Sequence, residues 1–167
     1  MSIRFAAILT GAIALATPGQ AGPLEQPEGM VILTVTGAVS ETNAPEGAQF
    51  DLAMLEALAG TQITTDTPWY DGERTFEGPL ISAILEAVGA EGETLKVTAI
   101  NDYSAEIPVS DVTTYPVILA TRINGETMSI RDKGPSFVIY PFDRSPALYT
   151  ELYFGRSVWQ VKSIEVN

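Results

Sequence analysis

The chain has 167 residues, of which 46% are hydrophobic and 18% are charged, and its net charge is -12. This length and composition predict one globular domain with a sizeable core rather than a disordered chain. The negative charge disfavours nucleic acid and anionic lipid as binding partners. The sequence has no cysteine and no histidine, which excludes Ser-His-Asp and Cys-His triads and zinc sites built from those ligands.

The N-terminus has the pattern of an export signal. Arg4 precedes an apolar run over residues 5–16, which is too short to span a bilayer as a helix, and small or helix-breaking residues follow it. We therefore predict a signal peptide over residues 1–21, cleaved after Ala21 or alternatively after Ala16, and a single mature domain over residues 22–167. An uncleaved anchor is the alternative. The mature protein is expected to be periplasmic, without direct membrane insertion.

The first half of the mature chain mixes strand and helix patterns. Asp51 and Gly60 are typical start and stop residues for one helix, and Pro79 and Gly89 for another. In chain order we predict a strand at 30–39 with a bend at Gly37, a helix at 50–59, a strand at 62–67, a loop at 68–78 and a helix at 79–88.

The second half is rich in strand patterns. Asn124-Gly125 lies between two such runs and is the strongest hairpin signal in the chain. We predict strands at 94–100, 105–108, 117–123, 127–131, 137–141 and 158–166. The expected fold class is therefore α+β, a mixed sheet core with a few helices.

Two loops carry candidate binding residues. Trp69 lies in the first loop, where an indole could stack on a flat heterocycle or could instead cap the core. Asn101, Asp102 and Tyr103 follow a strand; they could form a turn, since Asn and Asp tolerate left-handed backbone, or could line a pocket at the strand end.

Two basic segments offer further candidates. Arg131 belongs to RDKGP, which is either a solvated turn or a clamp for an anion or heterocycle. Arg156, Ser157 and Trp159 belong to YFGRSVW, which is either part of a half-buried final strand or a place where guanidinium and aromatic groups stack on a ligand. Close carboxylate pairs carry little weight among 21 acidic residues, so the residues give little support for an enzyme.

The order of several motifs resembles the oxidoreductase molybdopterin-binding domain, the fold of the sulfite oxidase family. The motifs are FEGPL at 76–80, YSAEIP at 103–108, INGETMSIRDKGPSFVIYP at 123–141 and GRSV at 155–158. In that family a cysteine thiolate ligates molybdenum, and it should lie near residues 63–68, where this chain has ITTDTP. Trp159 also stands where the family commonly has lysine. The resemblance therefore implies a cofactor-binding scaffold without its thiolate ligand.

A closer resemblance is to small exported proteins of this fold that lack the cysteine and bind free pterins; it rests on TPW, NDY, RDKGP and RSVWQV. It implies a non-enzymatic protein that binds a pterin, tetrahydropterin-like or molybdopterin-related, without molybdenum. It also implies a partner, the periplasmic domain of a membrane-bound diguanylate cyclase/phosphodiesterase or sensor kinase, and hence control of cyclic-di-GMP.

The pterin-binding residues that we predict are Trp69, Asn101, Asp102, Tyr103, Arg131, Arg156, Ser157 and Trp159. Trp69 would stack on the ring, Asp102 would accept hydrogen bonds from its amino edge, and Arg156 would contact its carbonyl side. Two alternatives remain open: a molybdopterin-dependent oxidoreductase that holds its cofactor without cysteine, and a scaffold protein that binds no ligand.

Overall fold

The computed structural model describes residues 24–167, so the predicted signal peptide and both cleavage positions lie outside the described residues. In residues 24–167 the chain forms eleven β-strands in three sheets and four α-helices. The predicted α+β class is confirmed. No helix within the described range is long and apolar enough to cross a bilayer.

The largest sheet has five strands in the order β2-β1-β11-β5-β6. The last strand, β11 (Val161–Val166), lies at its centre, parallel to β1 (Leu33–Gly37) and antiparallel to β5 (Thr94–Ala99). The edges are β2 (Ala48–Phe50) and β6 (Ser104–Pro108). Buried and more exposed residues alternate along β1 and β5 because one sheet face covers the main core.

A second sheet has four strands in the order β3-β4-β8-β9. These are β3 (Gly60–Thr65), β4 (Arg74–Pro79), β8 (Arg122–Ile123) and β9 (Glu126–Thr127). Asn124 and Gly125 join β8 to β9 with φ values of 51° and 82°. Positive φ at both positions is what a two-residue hairpin with the favoured twist requires, and the predicted hairpin is confirmed.

The prediction of a loop over 68–78 is wrong for its last five residues, which belong to β4. The strand pairs with β3 along its whole length and buries Phe76. The sequence of β4, RTFEGP, contains two charged residues and a glycine, so it lacks the apolar alternation typical of a strand. A Cβ on Gly78 would lie 2.2 Å from the carbonyl oxygen of Leu119, so glycine is needed there because two backbones approach closely.

A two-stranded sheet separates two hydrophobic cores. It consists of β7 (Ile118–Ala120) and β10 (Phe137–Ile139), and all six residues are buried. Leu119 and Val138 pack in the main core, whereas their neighbours along each strand pack in the second core. This division follows from the alternation of side chains along a strand, and it explains why both segments read as unbroken apolar runs.

The first two helices were predicted. α1 (Leu52–Ala57) begins at Asp51, whose carboxylate accepts a hydrogen bond from the backbone N–H of Met54 at 2.9 Å. Backbone N–H groups, with Met54 contributing most, lower the pKa of Asp51. α2 (Ile81–Ala87) starts two residues after Pro79 and buries three apolar residues against the main core.

Two further helices were not predicted. α3 (Val109–Thr114) follows β6 directly, and α4 (Glu151–Arg156) occupies part of the segment that we had considered as strand. The strand predicted at 127–131 is also wrong, because Thr127 ends β9 and a 3-10 turn covers Ile130–Asp132. The hydroxyl of Ser129 accepts from the backbone N–H of Asp132 at 3.3 Å and helps to stabilise that turn.

Candidate functional site

A pocket of about 370 Å³ lies between the end of β5, α4 and the two tryptophans. Aromatic rings form much of its wall, and its lining residues are Trp69, Ala99, Asn101, Tyr103, Glu151, Phe154, Gly155, Ser157, Val158 and Trp159. This volume is in the range of small-molecule sites, about 300–1,000 Å³. Five of the eight predicted residues are in this set: Trp69, Asn101, Tyr103, Ser157 and Trp159.

Trp69 packs on the core, which is one of the two roles predicted for it, and it also lies at the pocket. Its indole packs edge-on against Phe137 and Phe154, with ring centroids 5.1 and 5.9 Å away, and it contacts both hydrophobic cores. It also borders the pocket. Trp159 lies 6.1 Å from Trp69, centroid to centroid, and remains 37% exposed. Trp159 is therefore the indole face that a ligand can cover with less disturbance of the core.

The turn between β5 and β6 brings Asn101 and Tyr103 to the pocket. The side-chain oxygen of Asn101 accepts from the backbone N–H of Tyr103 at 3.2 Å, and Asp102 has a φ of 66°. The turn that the sequence allowed is thus present. The Tyr103 hydroxyl donates to the carbonyl of Gly155 at 2.9 Å and so links this turn to α4.

Asp102 does not line the pocket. Its carboxylate accepts a hydrogen bond from Lys162 at 2.5 Å, and its side chain is 84% exposed. The hydrogen bond and the positive charge of Lys162 lower the pKa of Asp102. The Asp102 carboxylate is therefore paired with a basic residue of the protein itself and lies outside the aromatic wall of the pocket.

Arg156 is also paired within the protein rather than placed in the pocket wall. Its guanidinium donates to Asp111 Oδ2 at 2.8 Å, and the hydroxyl of the buried Tyr140 donates to the same oxygen at 2.9 Å. Both charged side chains are largely buried, 19% exposed for Arg156 and 11% for Asp111. The cluster joins α4 to α3.

The RDKGP segment lies next to the pocket without supplying a wall residue. Arg131 is exposed in the 3-10 turn and is outside the pocket lining. The Lys133 ammonium lies 4.6 Å from the centroid of the Tyr70 ring and 6.0 Å from that of Trp159. Cation–π attraction to two rings holds this charge at the side of the pocket.

The segment where the family resemblance expects a metal-binding cysteine carries Thr67. Thr67 is 5% exposed, and its hydroxyl has no hydrogen-bond partner within residues 24–167. A hydroxyl is a poor ligand for a soft metal compared with thiolate. Within the same residues, no group of three or more acidic side chains is arranged to hold a metal ion. The donor set at this position does not fit molybdenum.

No model of a known protein family and no curated protein matches the chain.

Five lining residues were not among the predicted ones: Ala99, Glu151, Phe154, Gly155 and Val158. Phe154 belongs to the YFGRSVW segment. Interpreting that segment as a strand did not indicate that Phe154 would face a pocket, whereas it lies in α4. Glu151 carries no distinguishing local pattern, because it is one of 21 acidic residues and only the fold brings it to the pocket.

Proposed function

We propose that the protein has a sulfite oxidase-like fold and is a non-enzymatic periplasmic pterin-binding protein. Pterin occupancy would be relayed to the periplasmic domain of a membrane-bound signalling enzyme that controls cyclic-di-GMP. The observation that carries this proposal is the pocket of about 370 Å³ with Trp69, Tyr103, Phe154 and Trp159 in its wall.

The wall suits a flat bicyclic ligand. Aromatic side chains bury heterocycles by stacking, and a few polar groups then fix the orientation of the ring. Asn101, Ser157 and Glu151 are the polar side chains of the lining. The Ser157 hydroxyl donates its proton to the carbonyl of Tyr153 at 2.9 Å. It can therefore only accept a hydrogen bond from a ligand, whereas the Asn101 amide can donate or accept.

The chemistry that molybdenum would supply, oxygen-atom or electron transfer, has no support from the donor set of Thr67 and its neighbours. The residues fit the pterin part of the implied cofactor better than its metal. They bind and orient a ring and shield it from water, and the proposed role needs no more than this.

The relay to a partner is supported by the surface around the pocket. Ile100, Tyr103, Leu152 and Trp159 are large apolar side chains that remain between 37% and 57% exposed. Tyr103 and Trp159 line the pocket, and the other two are sequence neighbours of lining residues. A partner that covers them would touch the pocket mouth, and the net charge of -12 favours a partner with a basic surface.

The first test is to purify the mature protein from the periplasm, denature it, and measure released pterin fluorescence and metal content. Pterin without molybdenum is the expected result. Stoichiometric molybdenum would overturn the proposal in favour of an oxidoreductase. If neither is retained, titration with added pterins decides, and failure of every pterin to bind would leave the scaffold function.

The second test uses variants of the wall. Trp159→Ala is expected to weaken pterin binding about tenfold or more, since stacking on an aromatic side chain contributes about 1–3 kcal/mol per ring. Ile130→Ala is the control, because Ile130 is 60% exposed and does not line the pocket. Trp69→Ala should weaken binding as well, but it also removes core contacts. Affinities of both tryptophan variants within about twofold of the wild type would contradict the stacking role.

A further inference from the structure

We infer that Glu151 is the specificity-determining residue of the pocket and that it selects ring systems with adjacent N–H donors on one edge. The inference deepens the proposed function and rests on it. It gives to Glu151 the role that the sequence had assigned to Asp102.

Glu151 is the only charged side chain in the pocket lining, within the part of the chain that the structure describes. It is the first residue of α4 and is exposed. None of the ion pairs or side-chain hydrogen bonds within residues 24–167 uses its carboxylate. The carboxylate is therefore available to a ligand.

The other charged groups near the pocket are already engaged. Asp102 is paired with Lys162, and the Arg156 guanidinium with Asp111. Lys133 lies over the rings of Tyr70 and Trp159. Within the described residues Glu151 is therefore the one charged side chain of the lining, and its carboxylate favours ligands that present hydrogen-bond donors.

A carboxylate is an acceptor with two oxygens. A pterin has a ring N–H beside an exocyclic amino group, which together form a donor pair that matches a carboxylate in a bidentate contact. Lumazine has the same bicyclic ring but carries a carbonyl in place of the amino group. Each of its two ring N–H groups is flanked by acceptors, so one carboxylate oxygen would face an acceptor. The two rings stack equally well and differ at this edge.

The test compares the affinities of pterin and lumazine by calorimetry at mildly acidic pH, where both rings are uncharged. The wild type is expected to bind pterin about tenfold more tightly than lumazine, the order of discrimination that a bidentate contact provides. Glu151→Gln is expected to lose most of that preference, because an amide presents one donor and one acceptor and can match either edge. Glu151→Asp retains the carboxylate and should keep the preference.

Glu106→Gln is the matched control, since Glu106 is an exposed glutamate on β6 outside the pocket. Thermal unfolding of each variant checks the fold. If pterin binds but the wild type shows no preference, or if Glu151→Gln keeps the full preference, the role of Glu151 is wrong while the proposed function stands. If neither of these rings nor any reduced pterin binds to the wild type, the proposed function itself fails, and the inference fails with it.

Discussion

Asp111 and Asp102 each bind one basic side chain, but at different depths. Asp111 and Arg156 are 11% and 19% exposed, and Asp111 also accepts from the hydroxyl of Tyr140. Asp102 and Lys162 are 84% and 45% exposed. Water screens the outer pair and competes for it, so that pair contributes little to stability. The inner pair is largely shielded from water, so removing either charged group would leave the other buried without a partner.

Asp102 and Arg156 were both predicted to contact a ligand, but in the fold each is paired with a side chain of the protein. Arg156 ties α4 to α3 and so holds the helix that carries Glu151, Phe154 and Gly155. Asp102 fixes the end of an exposed turn. The inner cluster is therefore expected to control stability, and the outer pair to control neither stability nor binding.

The largest effect is expected for Asp111→Ala. It leaves the Arg156 guanidinium and the Tyr140 hydroxyl without their common acceptor, and we expect the free energy of unfolding to fall by about 3 kcal/mol. Urea denaturation followed by tryptophan fluorescence measures this change. Asp102→Asn is the control and should leave the urea midpoint nearly unchanged, because asparagine also tolerates the left-handed backbone at this position. Equal effects of the two substitutions would show that burial does not determine how much each ion pair stabilises the fold.

The inner cluster also predicts a loss of stability in alkali. Burial first, and then the charge and hydrogen bond of Asp111, raise the pKa of Tyr140 far above its ordinary value of 10.0. The folded protein keeps this proton where the unfolded chain releases it. The stabilisation is thus complete below about pH 10 and falls above it by about 1.4 kcal/mol per pH unit from this group.

Urea midpoints measured from about pH 8 to about pH 11 test this dependence. Tyr140→Phe should show a shallower decline than the wild type, because its buried ring carries no proton to lose. Parallel declines in the two proteins would show that Tyr140 is not the group responsible.

At neutral pH a smaller effect is expected for Tyr140→Phe itself. The substitution removes one buried hydrogen bond but leaves Asp111 paired with Arg156, and we expect a loss of about 1 kcal/mol in the free energy of unfolding. Tyr103→Phe also removes one hydroxyl donor, but Tyr103 is 51% exposed, so its effect should be smaller. The reverse order would indicate that exposure does not govern these hydrogen bonds.

The smallest effect is expected for Asp102→Asn on ligand binding. Because Asp102 faces Lys162 outside the pocket lining, pterin affinity should stay within about twofold of the wild type. Titration monitored by tryptophan fluorescence measures it. A loss of tenfold or more would instead support the direct contact that the sequence had predicted for this carboxylate.

Local patterns in the sequence predicted those elements whose residues interact with near neighbours. The Asn124-Gly125 hairpin, the capping residue Asp51 and the buried alternation of β5 are of this kind. β4 and α4 were missed because their local patterns are weak. β4 buries one aromatic residue and is held by pairing with β3 and β8, while α4 has only six residues and none of them is fully buried.

The sequence alone determined the ligand chemistry that the chain can offer, since it supplies no thiolate and no imidazole, and it determined the α+β class through its periodicities. Which charged groups remain available depends on contacts between distant parts of the chain. Asp111 and Arg156 are 45 positions apart in the chain, and Asp102 and Lys162 are 60 apart. Contacts at such separations follow from strand order and helix packing rather than from local spacing, and they leave Glu151 as the carboxylate that the pocket presents.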